Sequence, residues 1–248
     1  MPQLLCTVRS CHLPLTREEH RVVCPRGHAF DIARSGYINL LQPQERRSKR
    51  PGDSVGAVAA RRRFLDRGHA APLLDKIGAM LPGQGEILDA GCGEGYYLGS
   101  LGRGCGVDIS TVAIDLAARR YPHCQWVVAN ADRFIPYAEA AFDVVLSITG
   151  RMHASEFGRV LRDDGCLLVA VAAPDDLIEL RGRGRDRVPR TIETFADFEL
   201  MKRDRATTIV ELNAQDANDI LRATYRPRDA RPQRVTLSLD LLLFAARR

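Results

Sequence analysis

Apolar positions change their period along the chain, and each change marks an element. Leu73, Leu74, Ile77 and Leu81 recur at helical spacing, and Pro82-Gly83 ends that run. Residues 86–89 form a short buried strand that breaks into Ala90-Gly91-Cys92-Gly93-Glu94-Gly95-Tyr96-Tyr97, a glycine turn opening the next helix. A second strand ends at Val107-Asp108-Ile109, a helix covers 110–120, and a strand over 126–129 runs into Asn130-Ala131-Asp132. Phe142–Ile148 is a fourth strand, residues 157–161 close a helix, and 166–172 make a fifth strand after Asp163-Asp164-Gly165. Val235, Leu237, Leu239 and Leu241 then alternate in a closing strand over 234–246. Strands alternating with helices predict an α/β fold, a Rossmann-like parallel sheet with a ligand crevice at the carboxyl ends of its strands.

The first 40 residues lack this rhythm. Cys6 and Cys11, then Cys24 and His28, form two knuckles separated by 12 residues, a spacing that suits one tetrahedral zinc ion. Gly27 permits the tight turn of the second knuckle, and Val22-Val23 feeds it as a strand. A module this small buries too little surface to fold alone, so a metal staple is physically required. Four protein ligands leave no position for a catalytic water, so the zinc is expected to be structural; His12 and His20 are competing ligands. The chain thus divides into a zinc-ribbon module over 1–40, a basic linker and helix over 41–70, and a catalytic domain over 71–248.

Composition adds a location and a charge pattern. Hydrophobic residues at 45% and charged residues at 27% are the mix of a globular protein. No apolar run approaches the roughly 20 residues that span a bilayer. The opening eight residues are too short for a signal core, so a cytoplasmic protein with no membrane partner is expected. Residues 1–70 hold 13 Lys/Arg against 6 Asp/Glu, and residues 71–248 hold 23 against 25. The net charge of +5 is therefore +7 in front and −2 behind, which points to an anionic partner at the front. Arg46-Arg47-Ser48-Lys49-Arg50 is either a solvated linker or a phosphate-contacting segment, and Arg61-Arg62-Arg63 reads as the start of a helix.

An acid closing the second strand suits a ribose with two free hydroxyls. The glycine turn, Val-Asp-Ile, Asn-Ala-Asp and Phe-Asp-Val-Val-Leu-Ser together resemble the motif series of class I S-adenosylmethionine (SAM)-dependent methyltransferases. That resemblance implies that Gly91, Gly93, Glu94 and Gly95, with Asp89 beneath them, line the methionine end of SAM. It implies that Asp108 holds the ribose, Ile109 packs on adenine, and Ala131 and Asp132 read the adenine amino edge. Asp89 also reads as a brace of the turn, and Cys92 as turn packing.

The methyl acceptor is narrowed by absences. The fourth strand ends Leu146-Ser-Ile-Thr-Gly150, without the Pro-Pro-aromatic turn of adenine-amino methylation, and no Pro-Cys pair suits 5-methylcytosine chemistry. Beyond the SAM motifs, the zinc module, the run from Phe30 to Leu41, Pro51-Gly52-Asp53-Ser54 and the run from Ala60 to His69 resemble the 23S rRNA (guanine-N1)-methyltransferases. The resemblance implies methylation of a guanine N1 in a 23S rRNA hairpin near the peptide exit tunnel. This chain departs from the family in its Cys-x4-Cys knuckle, in Ala70, in Thr149-Gly150-Arg151 after the fourth strand, in Asp176, and in lacking a C-terminal Pro-Phe-x-Trp. Asp53 is the candidate proton acceptor, with a helix-cap acid as the other reading. Tyr37 either stacks on a flipped base or packs in the core. Arg181, Arg183, Arg185, Arg187 and Arg190 read as a mobile phosphate-binding loop, with Arg226, Arg228, Arg231 and Arg234 as a second basic cluster. Two other readings stay open: a small-molecule methyltransferase with a remnant ribbon, and a non-catalytic SAM-binding assembly factor. Homodimerisation is likewise open.

Overall fold

The computed structural model describes residues 1–9, 11–45, 52–224, 231 and 233–247; the basic run 46–50, Arg226 and Arg228 lie outside them. A small antiparallel sheet opens the chain: β1 (Thr16–Arg17), β2 (Arg21–Val23) and β3 (Ala29–Asp31), with Val22 opposite Arg17 on one side and Phe30 on the other. The next strand, β4 (Ile38–Asn39), leaves this ribbon and pairs in parallel with β7 (Gln125–Val128), Ile38 opposite Val127. The front module is therefore hydrogen-bonded into the main sheet.

Helix α1 (Val55–Asp66) starts where the Ser54 hydroxyl accepts the Ala57 N–H, and α2 (Ala71–Gly78) follows with a proline in its first turn. Arg61–Arg63 thus lie in the middle of α1 and do not begin it. The alternating part comprises β5 (Ile87–Ala90), α3 (Tyr96–Leu101), β6 (Cys105–Asp108), α4 (Thr111–Arg120), β7, β8 (Phe142–Ile148), α5 (Ala154–Val160) and β9 (Leu161–Ala172). Two short helices, α6 (Ile178–Arg181) and α7 (Val188–Thr194), lead to β10 (Phe198–Leu212), α8 (Ala214–Ala223) and β11 (Gln233–Ala246). Among the described residues the main sheet has eight strands in the order β10-β11-β9-β8-β5-β6-β7-β4. Strands β4 to β9 run parallel; β11 inserts antiparallel between β9 and β10.

Strand β10 was not foreseen. It is an edge strand whose run Glu199–Arg203 is exposed, so polar residues interrupt the alternation that marks a half-buried strand. Strand β9 also begins five residues before the expected 166, absorbing the Asp163-Asp164-Gly165 turn through a register shift opposite Phe142–Val144.

Both sheet faces are covered. On one, Val144, Leu146, Leu168 and Leu241 pack with Phe64 of α1, Ile77 of α2, Ile114 of α4 and Leu221 of α8. On the other, Leu88, Val107, Val145 and Phe244 share one buried cluster with Phe157 of α5 and with Cys6, Val22 and Phe30 of the ribbon. The ribbon core and sheet core are continuous, so the small module borrows burial it could not supply alone. Chain order reverses between β5 and β8, and a crevice opens at their carboxyl ends.

Candidate functional site

Cys6, Cys11, Cys24 and His28 converge, all four ligand atoms lying within 4.8 Å of one another. His28 Nδ1 is 3.4 Å from the sulfurs of Cys6 and Cys24, and Cys11 Sγ is 3.9 Å from Cys24 Sγ. A zinc ion at about 2.3 Å from sulfur and 2.0–2.1 Å from nitrogen needs tetrahedral edges of about 3.8 Å and 3.6 Å. These three separations match such edges to within about 0.2 Å, so the donor set suits zinc. Two tight turns build it: the Gly27 N–H donates to Cys24 O with Gly27 at φ +81°, and the Cys11 N–H donates to Val8 O. Burial pushes the Cys6 thiol up to about 12, so it is the cation that would favour its thiolate. His12 instead stacks on Phe134, with ring centroids 4.1 Å apart, and His20 is exposed beside Glu19.

A cavity of about 770 Å³ occupies the crevice, lined by Gly91, Gly93 and Glu94 of the glycine turn, Asp89 below it, and Asp108 and Ile109 after β6. Ala131 and Asp132 after β7 line it too. Gly95 does not. An added Cβ there would stand 2.4 Å from the Trp126 ring, so this glycine serves the packing of α3 on the sheet. The Asp108 carboxylate is held from both ends, Oδ2 accepting the Gly93 N–H at 3.0 Å and Oδ1 the Ser110 N–H at 2.8 Å. That grip orients the acid while each oxygen keeps a lone pair for a diol. Asp132 pairs with Arg151 at 3.3 Å across the rim.

The floor is strongly acidic. Burial, reinforced by Asp108 and Glu94, pushes the Asp89 carboxyl up to about 8. Burial also raises Glu94, whose Oε2 is buried without a hydrogen-bond partner. The Asp89 carboxyl lies buried at the end of β5, whereas the turn is held by Asp108 through the Gly93 N–H. Crowded, under-satisfied carboxyls suit a cationic ligand, and SAM brings a sulfonium and an ammonium.

Several lining residues come from outside the SAM motifs. Thr149 and Gly150 follow β8, and Thr149 sits at φ +52°, a conformation rare for a β-branched residue, its N–H donating to Ala170 O. Gly52, Asp53 and Arg61 wall the cavity from the front segment. Arg61 Nη1 lies 2.7 Å from Asp53 Oδ2 and 3.8 Å from Glu94 Oε2. Arg62 pairs instead with Asp66 and Arg63 with Asp219, so three consecutive arginines point three ways at the helical pitch of about 100°.

Other expectations fall outside the cavity. Tyr37 packs half-buried against the core beside Asp115 and does not line it. Ala70 is buried at the start of α2. Asp176 accepts the Ser238 N–H and pairs with Arg181 at 2.6 Å, and neither residue lines the cavity. The arginine string is consequently not one mobile loop: Arg181 ends α6, Arg190 lies in α7, and Gly184 N–H anchors the link to Pro174 O.

Residues 5–49 match the zinc-ribbon family described as RlmA, N-terminal, and residues 88–169 match the methyltransferase-domain family. The chain is 32% identical over 222 residues to the 23S rRNA (guanine(748)-N(1))-methyltransferase of Streptomyces fradiae, covering 82% of this chain and 78% of that protein. It is 33% identical over 211 residues to a Micromonospora griseorubida protein provisionally named 23S rRNA (guanine-N(1)-)-methyltransferase, covering 74% and 70%. Among solved structures, a chain of the Haloferax volcanii complex between the Trm112 methyltransferase activator and a methyltransferase matches with TM-score 0.56. That match is 19% identical and covers 79% of this chain and 99% of that one. The YcgJ protein of Bacillus subtilis matches with TM-score 0.52 and 15% identity, covering 73% and 100%. These structural likenesses establish the shared fold.

Proposed function

The chain belongs to the 23S rRNA (guanine-N1)-methyltransferase family, and from that membership we propose that it methylates N1 of a guanine in a 23S rRNA hairpin near the peptide exit tunnel. The observation that carries this reading is the position of Gly52, Asp53 and Arg61. The segment that follows the zinc module forms a wall of the cofactor cavity, so the front of the chain and the transfer site are one structure. Residues 1–40 would present the hairpin, with Cys6, Cys11, Cys24 and His28 as structural zinc ligands, and residues 71–248 would carry out transfer.

SAM, when bound, supplies an electrophilic methyl group on a sulfonium. Asp108, fixed by two backbone N–H groups, would take the ribose hydroxyls; Ile109 would pack on adenine, and Ala131 with Asp132 would meet its amino edge. Guanine N1 carries a proton at neutral pH, so its attack requires an acceptor. Asp53 stands in the cavity wall, 2.7 Å from Arg61, and would receive that proton. Most of the rate would come from holding N1 within about 3–3.5 Å of the methyl carbon, in line with the breaking bond.

The test is transfer of labelled methyl from SAM to 23S rRNA taken from a strain lacking this gene, with the modified nucleotide mapped by mass spectrometry. A labelled 1-methylguanine is the expected product. Label on no rRNA fragment, or on another atom, overturns the reading in favour of a small-molecule acceptor or a non-catalytic SAM-binding factor.

A further inference from the structure

Each of the first two cysteines of the metal cluster is followed by a residue that reaches out of the ribbon. Thr7, next to Cys6, donates its hydroxyl to Leu40 O at 2.5 Å and accepts from Gln42 Nε2 at 3.2 Å. The Leu40 N–H closes on Val128 O at the end of β7, and the Gln42 N–H donates to Glu45 Oε2 at 3.2 Å. Glu45 is 10% exposed, lines the cofactor cavity and pairs at 3.5 Å with Arg133, another lining residue.

His12, next to Cys11, sits at φ +48° and lays its ring on Phe134, the two planes 8° apart. Phe134 closes the turn 130–133 that lines the cavity, its N–H donating to Asn130 O at 3.1 Å. The stretch 130–138 is thus held from two sides. Helix α5 grips it through Glu156, which accepts the Ile135 N–H, and through Arg159, which donates to the carbonyls of Ile135 and Tyr137. The ribbon grips it through the Leu5 N–H on Pro136 O, through Gln3 O accepting the Ala138 N–H, and through the His12 ring. Only the second grip depends on the metal, because a small zinc module takes its fold when its ligands are joined. A carboxylate and a turn at one end of the cavity therefore take their positions from side chains that the metal fixes.

We propose that the metal site sets the affinity of the cofactor cavity, with Thr7 and His12 as the positioning residues that carry the coupling. Zinc and the nucleoside ligand then strengthen each other's binding by the same factor, since linkage between two sites is reciprocal. The proposal rests on the SAM-binding reading and adds a control to it. A chain that has lost its metal also loses its hold on the methyl donor, which confines transfer to chains whose ribbon is intact.

The test measures two affinities on the full chain. S-adenosylhomocysteine binding is followed by calorimetry on zinc-loaded and chelator-stripped protein. Zinc binding is followed by competition with a fluorescent chelator, with and without saturating S-adenosylhomocysteine. A coupling of about 10-fold is expected in both directions, within the usual range for linked sites. Because stripping also frees the ribbon to unfold, two substitutions probe the coupling with the metal in place. His12→Asn removes the ring and keeps a residue that tolerates a positive φ, and Thr7→Val removes the hydroxyl alone. Each should keep its zinc and weaken S-adenosylhomocysteine about threefold, the loss of one contact. Phe134→Leu should match the His12→Asn loss, and combining those two should add nothing, since they break the same contact. In the chain carrying Thr7→Val and His12→Asn, S-adenosylhomocysteine should no longer tighten zinc. Zinc affinity indifferent to S-adenosylhomocysteine in the wild type overturns the inference, as does coupling that survives in the double variant. Loss of zinc from either single variant makes its residue part of the ribbon's own fold and overturns the inference too. A zinc-loaded wild type that binds no S-adenosylhomocysteine overturns the cofactor reading itself, and the coupling with it.

Discussion

Arg63 grips both carboxylate oxygens of Asp219, Nη2 to Oδ1 at 2.5 Å and Nε to Oδ2 at 3.0 Å, joining α1 to α8 across 156 positions of sequence. Asp219 is 2% exposed, while Arg63 is 44% exposed. The pair is therefore asymmetric: losing the arginine strands a buried anion, whereas losing the acid leaves a cation that water can reach. Arg67 and Gln215 also contact Asp219 and soften the loss. Removing a partner from a fully buried pair costs about 3–5 kcal/mol. Discounted for the exposed arginine and the remaining contacts, Arg63→Ala should cost roughly 2 kcal/mol. Urea unfolding of the two variants checks this, Arg63→Ala being expected to destabilise more than Asp219→Asn.

Asp89 sets a pH dependence with a definite sign. Its folded pKa is raised to about 8 by burial beside Asp108 and Glu94, so the folded chain keeps a proton that the unfolded chain gives up in the ordinary carboxylate range. The associated stability is fully present in acid and is lost as pH rises through about 8. Melting temperatures of the ligand-free protein should fall over this window from that contribution, and Asp89→Asn should flatten the fall. A cationic ligand stabilises the carboxylate, so S-adenosylhomocysteine binding at pH 7 should release protons, read as a buffer-dependent heat.

The metal cluster shares its hydrophobic core with the main sheet, and the Leu5 N–H donates to Pro136 O at the seam. Cys24→Ser should lower bound zinc from about one equivalent per chain to a small fraction and unfold the front module. Because burial is continuous across the seam, the melting temperature of the remainder should drop too. Metal analysis with calorimetric melting measures both, and unchanged zinc content would show that Cys24 is not a ligand.

Asp53→Asn separates proton acceptance from positioning, since the amide oxygen can still accept from Arg61. Turnover on rRNA should fall by about 100-fold or more if Asp53 takes the N1 proton. S-adenosylhomocysteine affinity should stay within about threefold, because the contact to Arg61 survives.

Arg183 and Arg185 are exposed on the link between α6 and α7, beyond the carboxyl end of β9. Each phosphate contact contributes about 0.7–0.9 to the slope of log affinity against log salt. Arg183→Ala with Arg185→Ala should therefore lower the slope for an rRNA fragment by roughly 1–2, leaving S-adenosylhomocysteine binding untouched. An unchanged slope would make this segment a solvated surface.

Features made by neighbours in sequence were legible in advance. The glycine turn, Asp108 at a strand end, and the two Cys/His knuckles each depend on a few adjacent positions, and the structure places them at one cavity and one cluster. Gly95 shows the limit: its place in the motif suggested the cofactor, but its missing Cβ is needed by Trp126, on another strand. Strand β10 was missed for the opposite reason, because an edge strand owes its identity to its neighbour β11 and not to its own polar pattern. Asp132 was placed at the cavity, yet its Arg151 partner belongs to a different loop.

Taken alone, the order of residues pointed to the four side chains that converge in one Cys/His cluster, to the alternating strands and helices from β5 to β9, and to the acid and glycines that line the crevice. Local sterics and donor chemistry specify these within a turn or two of chain. Only the tertiary structure decided which of Arg61, Arg62 and Arg63 enters the cavity, since all three have the same chemistry and differ only in helix phase. That phase is set where Phe64 buries in the core and Asp219, far along the chain, captures Arg63. It likewise decided that β4 finishes the main sheet, because the single bridge from Ile38 back to Ile32 leaves its other side for the open edge of β7.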